Sequence, residues 1–111
     1  MIGDNELAIP AKMMDLYAAK HKLVAHNLAN ADVRGYHKLN ASFDKELEQI
    51  VSSNDPEEIS KAAIKITKAA EAGVDTDAEV AVMSKNQVMF QAFSEIAMYR
   101  LRMLRAAINV G

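Results

Sequence analysis

Residues 76–110 read TDAEVAVMSKNQVMFQAFSEIAMYRLRMLRAAINV, and this stretch decides the fold. From Val80 to Val110 there is neither Gly nor Pro. Apolar residues recur as Val82 and Met83, Met89 and Phe90, Phe93, Ile96 and Ala97, Leu101, Met103 and Leu104, Ala107 and Ile108. Their spacings alternate between three and four, the rhythm of a helix packed along a helical partner. At about 1.5 Å per residue such a helix runs roughly 45–50 Å, far beyond the globular average. At its start, Thr76 and Glu79 have capping-box spacing, in which each side chain bonds the other's backbone N–H.

A stripe that long needs a partner, and only one other stretch is long enough to provide it. From Leu7 to about Asn30, Ile9, Met13, Leu16, Tyr17, Leu23, Val24 and Leu28 fall at helical spacing with no intervening Gly. Pro10 sits where a missing N–H costs little, so the expected helix spans about Pro10 to Ala31 within residues 7–31. The expectation is an all-α single domain over 1–111. Its long N- and C-terminal helices (7–31 and 74–111) pack as an antiparallel coiled coil that buries Leu16, Leu23, Phe90, Ile96 and Leu104. Part of the long stripe stays open for neighbours.

Between the two helices, residues 32–73 read as a connector of short helices and loops. Asp32, Gly35 and Asn40 are turn residues, and Gly35 can take a backbone angle that other residues resist. Phe43, Leu47, Ile50 and Val51 form one apolar face of a short helix, followed by a Ser52-Ser53-Asn54 linker. Asp55-Pro56-Glu57-Glu58 is a helix start: Asp as N-cap, Pro in the first position, acids in the first turn. Ile59, Ala63, Ile66 and Ala70 continue it as a narrow small-residue stripe to a stop at Gly73. That weak face makes it the least firmly held part.

Composition removes several function classes. Half of the 111 residues are hydrophobic but only 5% are aromatic, with seven Met and no Trp. The mixture favours helices and is poor in bulky core material. A formal net charge of −2 argues against nucleic-acid binding, which calls for a basic surplus. Without cysteine there are neither disulfides nor thiolate metal sites. No apolar run approaches the ~20 residues that span a bilayer. The opening Met-Ile-Gly-Asp-Asn-Glu lacks the basic and apolar regions of a signal peptide, so export would not use a cleaved Sec-type signal.

No pattern for catalysis emerges, and the reading is of a non-enzyme with no cofactor, metal or small-molecule substrate. His21 and His26 are five apart, on different helix faces rather than at a chelating i, i+4 spacing, and His37 stands alone. Glu57-Glu58 and the Asp75/Asp77 pair fall at helix N-termini, and Arg100, Arg102 and Arg105 near a C-terminus, where the helix dipole accounts for them. Polar residues inside the apolar stripes say more. Asn27, Asn30 and Asn86 either face water or fix the register of a helix pair, since a buried amide demands a matching partner.

The segment His26-Asn27-Leu28-Ala29-Asn30-Ala31-Asp32-Val33-Arg34-Gly35-Tyr36 resembles the N-[IL]-A-N-x-x-T-P-G-Y signature of bacterial flagellar rod, hook and hook-associated proteins. Asn27, Leu28, Ala29, Asn30, Gly35 and Tyr36 fit it in order and spacing, while Val33-Arg34 stands where the family has Thr-Pro. Val74-Asp75-Thr76-Asp77-Ala78-Glu79, with Asn86-Gln87-Val88-Met89-Phe90-Gln91-Ala92 after it, is similar to the V-D-x-D-x-E … N-x-x-x-Y-Q-A block of the FlgB family of proximal rod proteins. Phe90 replaces the usual Tyr, and Leu104-Arg105-Ala106-Ala107-Ile108 is similar to that family's L-R-x-A-I close. Residues 44–72 match nothing.

The resemblance implies a structural subunit of the proximal rod of the flagellar basal body. Such a subunit is exported unfolded through the flagellar type III apparatus without a cleaved signal, and it assembles in the periplasm into a helical, torque-transmitting tube. Partners would be further copies, other rod proteins such as FlgC and FliE, and membrane-ring components. Candidate interface residues are Asn27, Leu28, Asn30, Gly35, Tyr36, Asn86, Phe90, Ile96, Leu104 and Ile108. The alternative is a cytoplasmic helical adaptor or export chaperone that binds partner helices.

Overall fold

The computed structural model describes residues 4–53 and 55–110. Asn54 of the expected linker, the side chain of Val51, and Met1-Ile2-Gly3 of the segment read for a signal peptide lie outside the described residues. Two long helices dominate, α1 (Asp4–Ala29) and α4 (Thr76–Val110). Between them come β1 (Leu39–Ser42), α2 (Asp44–Ser53), α3 (Pro56–Lys61) and β2 (Lys65–Lys68). The molecule measures 62 × 24 × 14 Å with a radius of gyration of 17.1 Å, whereas a compact domain of this length would have about 13 Å. The elongation follows from α4, whose 35 residues rise about 52 Å.

The long helices run antiparallel along each other. Asn27 meets Glu79, His21 and Asn86 line a common groove, and the Tyr17 and Phe93 rings stack with centroids 6.0 Å apart. Residue number falls along α1 as it rises along α4. Helix α1 starts earlier than expected and ends at Ala29, so Pro10 lies inside it, fully buried.

The pairing face differs from the single seam read in the sequence. Leu16 is buried, and Leu23 and Leu104 are half-buried, but Phe90 and Ile96 remain 36% and 40% exposed. Helix α4 turns Glu79, Asn86, Phe93 and Leu104 toward α1, positions that share a stripe at 100° per residue. Ile96 lies well round from that stripe, and Phe90 sits at its edge. Ile108, 69% exposed, follows on beyond Leu104.

The connector is not all helix. Strands β1 and β2 pair antiparallel, with Leu39 opposite Lys68 and Ser42 opposite Lys65. The Ile59–Ala70 stripe therefore does not form one helix to Gly73. Helix α3 stops at Lys61, and Ala62 leaves with extended angles (φ −60, ψ 131) while its N–H bonds the Ile59 carbonyl. Beyond it, β-branched Ile66 and Thr67 pack more readily on a pleated ribbon than in a helix with so little apolar face. The expected start of α3 holds: Asp55 Oδ1 accepts from Glu57 N at 3.1 Å. The connector's apolar side chains Phe43, Ile50, Ile59 and Ala62 close over Met13 and Leu16 of α1 to make the core.

Candidate functional site

Three residues of the first motif turn the chain and meet at the end of α1. Asn30 Nδ2 donates at 2.8 Å to the His26 carbonyl, which also accepts from Asn30 N at 3.2 Å, so the side chain reinforces the last turn of the helix. Gly35 then takes φ 78, a left-handed angle that a side chain would strain. This brings Tyr36 back toward α1, where its ring lies 6.0 Å from that of His26 and its hydroxyl donates to Asn27 Oδ1 at 2.7 Å.

Asn27 is fully buried, and all of its hydrogen-bonding capacity is used. Oδ1 also accepts from Leu39 N at 2.9 Å, and Nδ2 donates to the Leu39 carbonyl at 2.8 Å and to Glu79 Oε2 at 3.3 Å. Glu79 Oε1 accepts from Lys38 Nζ at 2.6 Å. One amide thus ties α1, the start of β1 and the first turn of α4 together. Around it, Gly73 N donates to the Tyr36 carbonyl at 2.9 Å, and His37 Nδ1–H donates to the Ala69 carbonyl at 2.9 Å. Such a node resists sliding, because a shifted helix would leave several buried polar groups unpaired at roughly 1–3 kcal/mol each.

Glu79 is therefore no capping residue. Asp75, rather than Thr76, caps the helix: its Oδ1 accepts from Ala78 N at 3.2 Å and its carbonyl from Glu79 N at 3.0 Å. This frees the Glu79 side chain to point inward. The Glu79–Lys38 pair was not among the residues singled out in the sequence. A signal was present: Glu79 and Asn86 are seven apart, the repeat of one helix face, and both interrupt the apolar stripe.

Asn86 is the other buried polar residue of α4, 2% exposed, and its Nδ2 has no hydrogen-bond partner among the described residues. It lies where the α1–α4 pair is flanked by two grooves. One, of about 400 Å³, is lined by Tyr17, Ala18, His21, Lys22, Gln87 and Phe90 beside Asn86. The other, of about 200 Å³, opens toward Phe43, Asp44 and Leu47 of the connector. Tyr17 borders both, set edge-on to Phe43 at 5.0 Å. Burial, and then the Asp44 carboxylate, push its phenol above the usual tyrosine range.

The remaining candidates divide by position. Leu28 is half-buried beside the node, and Leu104 half-buried on the pairing face. Phe90 rims the larger groove, while Ile96 and Ile108 face outward. Helix α4 continues past Arg105 to Val110, so Arg100, Arg102 and Arg105 precede its last turn rather than capping it. Among the described residues no group of three or more His, Cys, Asp or Glu could hold a metal ion, and no helix is long and apolar enough to cross a membrane. The sequence matches no known protein-family model and has no significant match among curated proteins.

Proposed function

We propose that this chain is a structural subunit of the proximal rod of a bacterial flagellar basal body, of the FlgB kind. In this reading it works without catalysis, cofactor or metal. Its terminal helices form an antiparallel coiled-coil stem that packs beside stems of other copies and of neighbouring rod proteins in the periplasm. One observation carries the reading. The two sequence blocks that resemble the rod families lie about fifty residues apart, yet they meet in space. Asn27 and Tyr36 of the first bond each other, and Asn27 bonds Glu79 of the second. Residues with separate local roles would have no reason to converge on one node. The open face of α4 adds support, because apolar residues at Val88, Ile96, Tyr99 and Met103 lie in a row that no other described residue covers.

The test is genetic and biochemical in the source bacterium. Deleting the gene should abolish motility, and a tagged copy that restores it should co-purify with detergent-extracted basal bodies. A chain that stays in the cytoplasm as a stable compact oligomer, with basal bodies intact in its absence, would show an adaptor or chaperone instead.

A further inference from the structure

The β1–β2 ribbon has one closed edge and one open edge. Ala69 N donates to the Lys38 carbonyl at 2.9 Å, in step with the register that sets Leu39 opposite Lys68 and Ala41 opposite Ile66. Opposed pairs in an antiparallel ladder alternate between bonded and non-bonded. Lys38 and Ala69 are thus a bonded pair, as are Asn40 and Thr67. Leu39, Ala41, Ile66 and Lys68 turn their N–H and C=O groups away from the partner strand. On β1, the Leu39 groups meet the Asn27 carboxamide, which donates at 2.8 Å and accepts at 2.9 Å, as a neighbouring strand's peptide would. Helix α1 closes that edge. On β2, nothing among the described residues bonds the outward groups of Ile66 and Lys68. All four residues of the strand are exposed, Ile66 to 53%.

Charge decides what the open edge can receive. Lys65 and Lys68 stand at the two ends of β2, and Lys61 precedes it. Lys38, beside β1, is taken by Glu79. The nearest carboxylates along the chain, Asp44 and Glu71, follow β1 and β2 rather than lying within them. A second copy pairing through β2 would set lysine against lysine, and like charges directly opposite destabilise. Lysine on a short edge strand guards it against copies of the same chain in this way. A strand with carboxylates at those positions reverses the sign, and an apolar residue between them would cover Ile66. Two strands alone are marginal, and a third with an apolar face holds them better. We propose that the outer edge of β2 receives an acidic extended segment of another protein as a third, antiparallel strand. The segment sets carboxylates opposite Lys65 and Lys68 and a β-branched residue opposite Ile66. Its main chain exchanges hydrogen bonds with Ile66 and Lys68. This contact goes beyond the rod reading and stands without it.

The test uses the full chain and a labelled peptide with Glu-Thr-Val-Glu at its centre, followed by fluorescence anisotropy and amide exchange. Binding is expected at about 0.1–1 mM. Exchange should slow at Ile66 and Lys68, whose N–H groups face outward, and change little at Thr67, which is already bonded to β1. Ile66→Pro deletes one outward donor and spares the β1–β2 ladder. The melting curve should therefore hold while binding falls about tenfold or more. A peptide N-methylated at alternate residues keeps its charge, loses its donors and should not bind the unaltered chain. Lys65→Glu with Lys68→Glu should lose the acidic peptide and take up its Lys-Thr-Val-Lys counterpart instead. Binding that survives both Ile66→Pro and N-methylation is surface charge alone and overturns the proposal, as does no binding at millimolar peptide. Self-association of the chain without peptide, removed by Ile66→Pro, would make a second copy the occupant and overturn it as well.

Discussion

Helices α1 and α4 are built from similar residues, yet they bury different things. Among the described residues α1 buries Pro10, Met13, Leu16, Val24 and Asn27, mostly apolar. The longer α4 buries only Glu79 and Asn86, both polar. The cause is coverage. Helix α1 is clasped by the connector on one side and by α4 on the other, so its stripe reaches the interior. Helix α4 touches a neighbour along one face only, and Val80, Val88, Met98, Tyr99, Met103 and Ile108 stay more than half exposed. A protein that folded for its own sake would hide them. In the proposed reading, the contrast assigns α1 and the connector to stability, and α4 to contacts outside the chain.

The contrast breaks most visibly where the connector closes over α1. Phe43 is buried against Met13 and Leu16 and meets Tyr17 edge-on. Phe43→Ala should cost about 3–5 kcal/mol by transfer and cavity together. That is a large share of a small domain's total of about 5–15 kcal/mol, and urea denaturation followed by circular dichroism would measure it. A loss under about 1 kcal/mol would mean that the connector does not hold α1. Next comes the node: Asn27→Leu keeps the volume near but leaves the Leu39 N–H and carbonyl and the Tyr36 hydroxyl without their partner. At roughly 1–3 kcal/mol for each buried group left unpaired, a loss of about 3 kcal/mol is expected in the same assay. Asn30→Leu, which gives up only a bond to its own helix, should cost under about 1 kcal/mol.

Much of this was legible in the sequence, and the rest was not for physical reasons. The long helices were readable because an apolar stripe sustained over six or more turns has no other period. The Asp55-Pro56 start and the Gly35 turn are local chemistry and were read correctly. The β1–β2 ribbon was missed because Lys65–Lys68 is only four residues long, and its partner lies on the far side of two helices. At that length Ile59, Ala63 and Ile66 fit a helical spacing as well as any other. The position of Asn27 on the chain was clear, but its four bonds depend on where Leu39 and Glu79 arrive after folding. Thr76 and Glu79 were misread as a capping box because such boxes are recognised by spacing alone, and Asp75, one residue before Thr76, takes the cap instead. Phe90 and Ile96 were placed in one seam with Leu104 because pairs of adjacent apolar residues let two faces read as one.

Asn86 sharpens the comparison by reversing the sign. Its Nδ2 is buried without a partner, so the free chain bears a desolvation penalty that the complete network at Asn27 avoids. Asn86→Leu should raise the unfolding free energy of the isolated chain by about 1–2 kcal/mol, seen as a higher urea midpoint with an unchanged slope. If the chain is the rod subunit proposed above and the amide fixes the register of the helix pair, the same change should impair assembly and motility. A destabilised variant would show instead that the amide is already bonded in the folded chain.

The smallest expected effect carries the comparison furthest. Tyr99 and Met103 are 58% and 54% exposed, and substitutions at exposed positions away from caps, networks and core change stability by about 0.5 kcal/mol or less. Tyr99→Ser and Met103→Ser in one chain should therefore leave the melting curve of the monomer nearly in place. Helix propensity barely enters, because Ser and Tyr differ little in a helix interior and the Met-to-Ser loss is a few tenths of a kcal/mol. Solubility should rise as the exposed apolar row is interrupted. In sedimentation velocity the same double variant should lose the self-association that the proposed assembly role predicts for the unaltered chain at high concentration. If the two residues matter only to folding, the melting curve shifts and association follows it down. If α4 is the helix that meets other molecules, association is lost while the fold stays, and that separation is what an outward-facing apolar row on a well-folded helix requires.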